Sequence, residues 1–120
     1  MAQGMVVRGS RDKARKLLWS GSWGGNGSAN LTVTGLSACT RLWFDMDTVG
    51  TVEVAKSGSM HVIGSSINSD NGNVHIYVHK VGANGNVLSV AMTRLVQCKA
   101  DGTLTNAAYT SNQIKRIWGL

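Results

Sequence analysis

Apolar and polar residues alternate along most of the chain in runs of about four to eight residues, the pattern of half-buried β-strands. These runs are Leu31–Thr34, Arg41–Met46, Thr51–Lys56, Met60–Ile63, Val74–Val81 and Val87–Cys98. Gly, Ser, Asn and Asp separate them. Asn71-Gly72 is a strong hairpin signal, because both residue types tolerate positive φ. The pattern predicts short strands joined by tight turns and no long helix.

Two further runs lie at the ends of this region. Lys16–Trp23 is the first strand-like run, and Gln113–Leu120 is the last. A terminal run of this kind must be docked to remain ordered, because unattached chain ends are normally disordered. We therefore predict that the two runs belong to one β-structure and close it as its first and last strands.

The number and length of the strands predict the fold class. A chain of 120 residues has the size of one domain. About eight strands at about ten-residue spacing bury a core only by stacking two sheets. We predict an all-β domain over residues 16–120, an antiparallel β-sandwich or jelly-roll-like barrel, with an extended basic N-terminal arm over residues 1–15.

The charge is concentrated in that arm. The net charge is +6, and the first sixteen residues have five basic residues against one acidic residue, Asp12, a balance of +4. The basic residues are Arg8, Arg11, Lys13, Arg15 and Lys16. A basic arm can bind an acidic protein surface or nucleic acid phosphates, or it can be a solvated tail. The sequence shows no membrane-spanning run and no secretory signal pattern, so we expect no membrane insertion and synthesis in a cytoplasm.

Residues able to perform catalysis are few. His75 and His79 lie on one face of a predicted strand but about 13 Å apart by strand rise, too far to share one metal ion without a bend. Asp45 and Asp47 are the only close carboxylate pair, and paired-carboxylate hydrolysis remains an alternative to two solvated side chains. Nucleophile-elbow, phosphate-loop and Cys-x-x-Cys motifs are absent from the sequence. We expect no enzyme activity, no cofactor and no metal site.

The cysteines and tryptophans each allow more than one interpretation. Cys39 and Cys98 are expected to be reduced, buried thiols, with a disulfide as the alternative. Trp43 and Trp118 are expected in the core or at a subunit interface. Trp19 and Trp23, at i and i+4 on one strand face, are expected to pack or to form an interface, with a glycan platform as the alternative.

The two end runs also resemble a known class of module. Lys16-Leu17-Leu18-Trp19-Ser20-Gly21-Ser22-Trp23 and Ile114-Lys115-Arg116-Ile117-Trp118-Gly119-Leu120 are similar to the opening and closing runs of C-terminal β-domains of tailed-phage virion proteins. Collar, tail-fibre and other appendage proteins have such domains, and Trp118 stands where their closing motif usually has Tyr. Those domains usually cap a long fibre shaft, and here an arm of fifteen residues precedes the domain.

This resemblance implies a virion component that assembles as a homotrimer and has no catalytic residues. The strand-closure residues would be Ile114, Ile117, Trp118 and Gly119. The arm would anchor the protein to a capsid, neck or tail protein. The expected function is a decoration or appendage protein of a virion made in the host cytoplasm. The alternatives are a tail-fibre knob that binds a host receptor or surface glycan, and a nucleic-acid-binding protein supported only by charge.

Overall fold

The computed structural model describes residues 15–120, and these residues form the predicted all-β sandwich of two antiparallel sheets. The strands are β1 (Lys16–Trp23), β2 (Leu31–Thr32), β3 (Arg41–Met46), β4 (Gly50–Ala55), β5 (Met60–Ile67), β6 (Val74–Asn84), β7 (Val87–Cys98), β8 (Leu104–Ala108) and β9 (Ile114–Gly119). One short 3-10 helix, Leu36–Ala38, follows β2. The predicted arm residues Arg8, Arg11 and Lys13 lie outside the described residues.

The two sheets differ in how their strands are ordered. The first, sheet A, has the order β1-β9-β3-β4. The second, sheet B, is built on β5, β6 and β7, which pair in sequence order. The remaining edge of β7 pairs with β2 near its start and with β8 near its end. Sheet B is therefore four strands wide at either end, because β7 is long enough to pair with both β2 and β8 along the same edge.

The core lies between the sheets and follows the alternation in the sequence. In β3, Leu42, Phe44 and Met46 are buried, and Trp43 points to the opposite face. In β6, Tyr77, His79 and Val81 point inward. Both sheets contribute to one contiguous apolar cluster.

The two end strands lie in one sheet, as predicted, and they pair with each other. β1 lies antiparallel to β9, with Lys16 opposite Gly119 and Trp23 opposite Ile114. β9 also pairs with β3, so it is an interior strand of sheet A. A Cβ atom on Gly119 would lie 2.5 Å from the Cys39 Sγ and 2.7 Å from the Leu18 Cδ1. A glycine is needed at this position because the Leu18 and Cys39 side chains pack against its backbone.

Some strand boundaries differ from the predicted ones. β8 is a strand that the sequence pattern does not predict, because all five of its residues are exposed and give no burial alternation. The strand predicted at 31–34 stops after Thr32, because the chain turns there toward the 3-10 helix. β6 continues to Asn84, so the loop to β7 consists of only Gly85 and Asn86. Gly85 has φ +59°, as tight hairpin turns require.

Within residues 15–120, no helix has the length and apolar character needed to cross a membrane.

Candidate interaction surfaces

The outer face of sheet B is apolar across all four of its main strands. We call this surface the apolar face. It consists of outward side chains of β5, β6, β7 and β8, given by the strand register and the alternation of burial: Ile63, Ile67, Val74, Ile76, Val78, Met92, Val96, Cys98 and Leu104. Ile67 and Leu104 are each 68% exposed. Contiguous exposed apolar surface of this kind is typical of protein interfaces.

The apolar character of this face increases toward one end. The row nearest the β5–β6 and β7–β8 turns is apolar in all four strands, namely Ile67, Val74, Cys98 and Leu104. The neighbouring rows include Ser65, Asn106 and Arg94, and Lys80 lies at the far end. The face is therefore apolar at the turn end and basic at the other.

The sequence contained a signal for this surface. In β6 the outward residues Val74, Ile76 and Val78 are as apolar as the inward ones. A strand that is apolar on both faces is covered on both, or it lies at an interface. What the sequence did not indicate was that β5, β7 and β8 extend the same outer surface, because this depends on their register.

A second surface lies on the outer face of sheet A, where two tryptophans stand side by side. Trp43 on β3 is directly opposite Trp118 on β9, and both are half-buried. The Arg15 guanidinium carbon lies 5.2 Å from the centre of the Trp43 ring and 5.4 Å from that of Trp118. These distances are within the range of cation–π attraction. Leu17, opposite Trp118, is 48% exposed and extends the surface.

The packing expected for Trp19 and Trp23 is confirmed, whereas Trp43 and Trp118 lie outside the core. Trp23 is 6% exposed and belongs to the core, and its indole N–H donates to the Ala29 carbonyl oxygen at 2.8 Å. Trp19 is half-buried and packs against the same core. The shared face of these two residues therefore points inward, and Trp23 cannot serve as an exposed glycan platform. Ion pairs beside the surface tryptophans join Arg41 to Glu53 at 2.5 Å and Arg116 to Asp45 at 2.8 Å.

A buried polar cluster lies between the sheets around His79. Its Nδ1 is 2.9 Å from the Gly24 carbonyl oxygen, which can only accept, so Nδ1 is the donor. The His79 Nε2 and Gln113 Oε1 are buried without a hydrogen-bond partner. Burial lowers the pKa of His79 below its ordinary 6.5, and the Gly24 hydrogen bond opposes that shift. Thr93 donates to the Tyr109 carbonyl oxygen, and the cluster ties the β8–β9 segment to sheet B.

The remaining candidate groups do not converge. Within the described part of the chain, no three His, Cys, Asp or Glu side chains are placed to hold one metal ion. Asp45 forms its ion pair with Arg116, whereas Asp47 is exposed after the end of β3. Both cysteines are free thiols, and only Cys39 is fully buried. Cys98 is partly exposed on the apolar face, so the prediction of two buried thiols is wrong for Cys98.

One small pocket lies where β1 and β9 meet the 3-10 helix. It has a volume of about 290 Å³ and is lined mainly by apolar atoms of Leu18, Gly35, Ala38, Cys39 and Leu120. Lys16 contributes the charged group of the lining. The volume is at the lower limit for a small-molecule site.

Comparisons with known protein families, curated proteins and solved structures gave no match to this chain.

Proposed function

We propose that this chain is a structural component of a tailed-phage virion, a β-sandwich decoration or tail/neck appendage protein that assembles with copies of itself and is anchored by its basic arm. The observation that carries this proposal is the apolar face, which lies on the outside of a sandwich whose core is already complete. Side chains such as Ile67 and Leu104 contribute nothing to that core. Contact with another protein would remove these apolar side chains from water and so account for their position on the surface.

The class of protein follows from the resemblance of the end strands. The two runs similar to phage appendage domains are β1 and β9, which pair along their length. The closing residues Ile114 and Ile117 are fully buried, and Gly119 makes room for Leu18 and Cys39. The residues that carry the resemblance therefore act together, because they join the first and last strands of the domain. This supports the proposal that the chain is the same kind of β-domain as those of the phage appendage proteins.

The arm is the proposed anchor to the particle. Lys16 begins β1, and Arg15 stacks on Trp43 and Trp118, so the chain enters the domain over the outer face of sheet A. This entry point lies on the opposite sheet from the apolar face. A subunit could therefore use the arm for one neighbour and the apolar face for another.

The test is incorporation into particles. Wild-type protein, supplied in trans to a phage that lacks the gene, is expected in purified particles at a fixed copy number by quantitative mass spectrometry. Deletion of residues 1–14 keeps Arg15 and should leave the melting temperature unchanged, but it should abolish incorporation. The Asp47→Asn variant, which removes one charge from an exposed position outside the arm and the apolar face, should incorporate normally.

Two outcomes would contradict this proposal in different ways. Purified particles without the wild-type protein would overturn the virion role itself. Full incorporation of the deletion variant would overturn only the anchoring role of the arm.

A carbohydrate-binding knob is a second candidate, favoured by one observation. Trp43 and Trp118 form an aromatic pair on an exposed face, and aromatic faces can stack on sugar rings. Loss of glycan-array binding in Trp118→Ala, with binding retained in Leu17→Ala on the same face, would support this candidate. Absence of binding by the wild-type protein would contradict it.

A further inference from the structure

We infer that two copies of this chain pack against each other through the apolar face as a two-fold dimer. The inference rests on the proposed function as an assembling protein, and it names the occupant of this surface. The partner is a second copy of the same face, and the contact is sheet against sheet.

The first argument is the size of the surface. Four strands spaced at about 4.8 Å and about eight residues long at 3.3 Å per residue give a footprint of about 500 Å². Two such footprints bury about 1,000 Å², which is the lower limit for a specific protein interface. A partner much smaller than the face would fall below that limit. A second copy offers an apolar surface of the same dimensions.

The second argument is the distribution of charge along the strands. Arg94 lies on the apolar face, two rows from the row of Ile67 and Leu104. Asp101 lies in the β7–β8 turn beyond that row, together with Lys99. A two-fold axis that runs across the strands reverses their direction. It therefore places the β7–β8 turn of one copy over Arg94 of the other.

This arrangement also places the apolar rows together. With the axis between the row of Ile67 and the row of Ile76, the fully apolar row at the turn end of one copy covers Ile76 and Val96 of its partner. Lys80 then lies at the rim, where its ammonium group remains in water. An axis parallel to the strands, through the middle of the face, would place Arg94 over Val78 and Lys80 over Met92 of the partner. Both basic groups would then lie against apolar side chains without an acidic partner, which disfavours that alternative.

The experiment is a mass measurement on the full chain by light scattering and sedimentation. An interface of this size is expected to be weak, so the protein should be studied up to about 100 μM. The wild-type protein is expected to have the mass of two chains at high concentration. Ile67→Lys and Leu104→Lys alter exposed side chains that the fold does not need, and each should give the mass of one chain.

The matched control is on the other sheet. Leu17→Lys places the same charge at an apolar residue that is 48% exposed on the outer face of sheet A, and this variant should remain a dimer. A double variant, Arg94→Asp with Asp101→Arg, should recover the dimer that Arg94→Asp alone loses. Failure of this recovery would overturn the two-fold arrangement given above.

Cys98 provides a second measurement at the contact itself. Its thiol lies on the apolar face and should alkylate several-fold more slowly in the wild-type dimer than in Ile67→Lys at the same concentration. Equal rates would overturn the contact. Cys39 is 8% exposed and should react slowly in both proteins.

The remaining outcomes are also decisive. A wild-type protein with the mass of one or three chains at all concentrations would overturn the inference. A monomer whose Cys98 reacts faster after removal of residues 1–14 would identify the arm as the occupant, which also overturns it. A monomer that is still incorporated into particles would overturn the pairing but leave the proposed function standing.

Discussion

His79 is the residue whose ionisation is most closely linked to the fold. Its ring is fully buried, with one nitrogen bonded to the Gly24 carbonyl oxygen and the other unpartnered. Because burial lowers the folded-state pKa below 6.5, the unfolded chain binds this proton more readily. The free energy of unfolding should therefore fall as the pH drops through 6.5, and level off below the folded-state pKa. The slope can reach about 1.4 kcal/mol per pH unit.

Urea unfolding at closely spaced pH values from 7.5 to 5.5 measures this slope. His79→Gln should remove it, because a glutamine amide can donate to the Gly24 carbonyl oxygen without titrating. His61→Gln, at an exposed position on β5, should keep it. An unchanged slope in His79→Gln would contradict the assignment, and NMR titration of the His79 ring in the wild-type protein tests the same pKa directly.

For individual residues, the sequence predicted which side chains lie on the same face of a strand. It did not predict whether that face points to the core or to the surface. Trp19 and Trp23 lie on the same face of β1, opposite the core residues Ile117 and Ile114. The pairing of β1 with β9 shifts register twice, between Leu17 and Trp19 and between Ser20 and Trp23. Such irregularities change which residues face the core, and the sequence alone does not locate them.

At the element scale, a single glycine of sheet B packs closely against the β3–β4 turn. A Cβ atom on Gly64 of β5 would lie 2.0 Å from the Val49 Cγ1. Gly64 is buried and the Val49 Cβ would also lie only 3.1 Å away, so rotation of the Val49 side chain alone gives little room. Gly64→Ala should therefore lower the free energy of unfolding by about 1–3 kcal/mol, as overpacking of a filled interior does.

Gly58→Ala is the comparison for this prediction. Nothing lies within 4 Å of a Cβ atom at position 58, so the substitution should be neutral or raise the free energy of unfolding by up to about 1 kcal/mol. The Gly64→Ala, Val49→Ala double variant should regain part of the loss by providing room. Equal stability of the two single alanine variants in urea unfolding would refute the close packing between the sheets.

The elements that the sequence predicted well are those with one buried face. β3 alternates strictly between buried and partly exposed residues, and its predicted bounds match the observed ones. β8 has no buried face and was missed, although it completes the width of sheet B. Its stabilisation comes from backbone pairing with β7, for which the side-chain pattern carries no signal. The apolar face was not recognised for the same reason, because it depends on strand neighbours.

At the scale of the whole molecule, the two sheets are expected to unfold as one unit. Phe44 of sheet A and Val81 of sheet B belong to the same core, and neither sheet covers its inner face alone. The outer faces have separate tasks in the proposed assembly, with the arm entering over sheet A and the apolar face on sheet B. A subunit that contacts neighbours through both faces benefits from sheets that do not open independently.

Hydrogen exchange tests this coupling through a small change in sheet A. Ile117→Val removes one methylene-sized group from a fully buried site on β9 and should cost about 0.5–1.5 kcal/mol. If the sheets unfold together, the slowest amides of β6 in sheet B should exchange about 2- to 12-fold faster, the factor set by that free energy. Leu17→Val, at an exposed site on β1, should leave them unchanged. Faster exchange confined to β9, β1 and β3 would show that the sheets open separately, because the lost stability would then not reach the strands across the core.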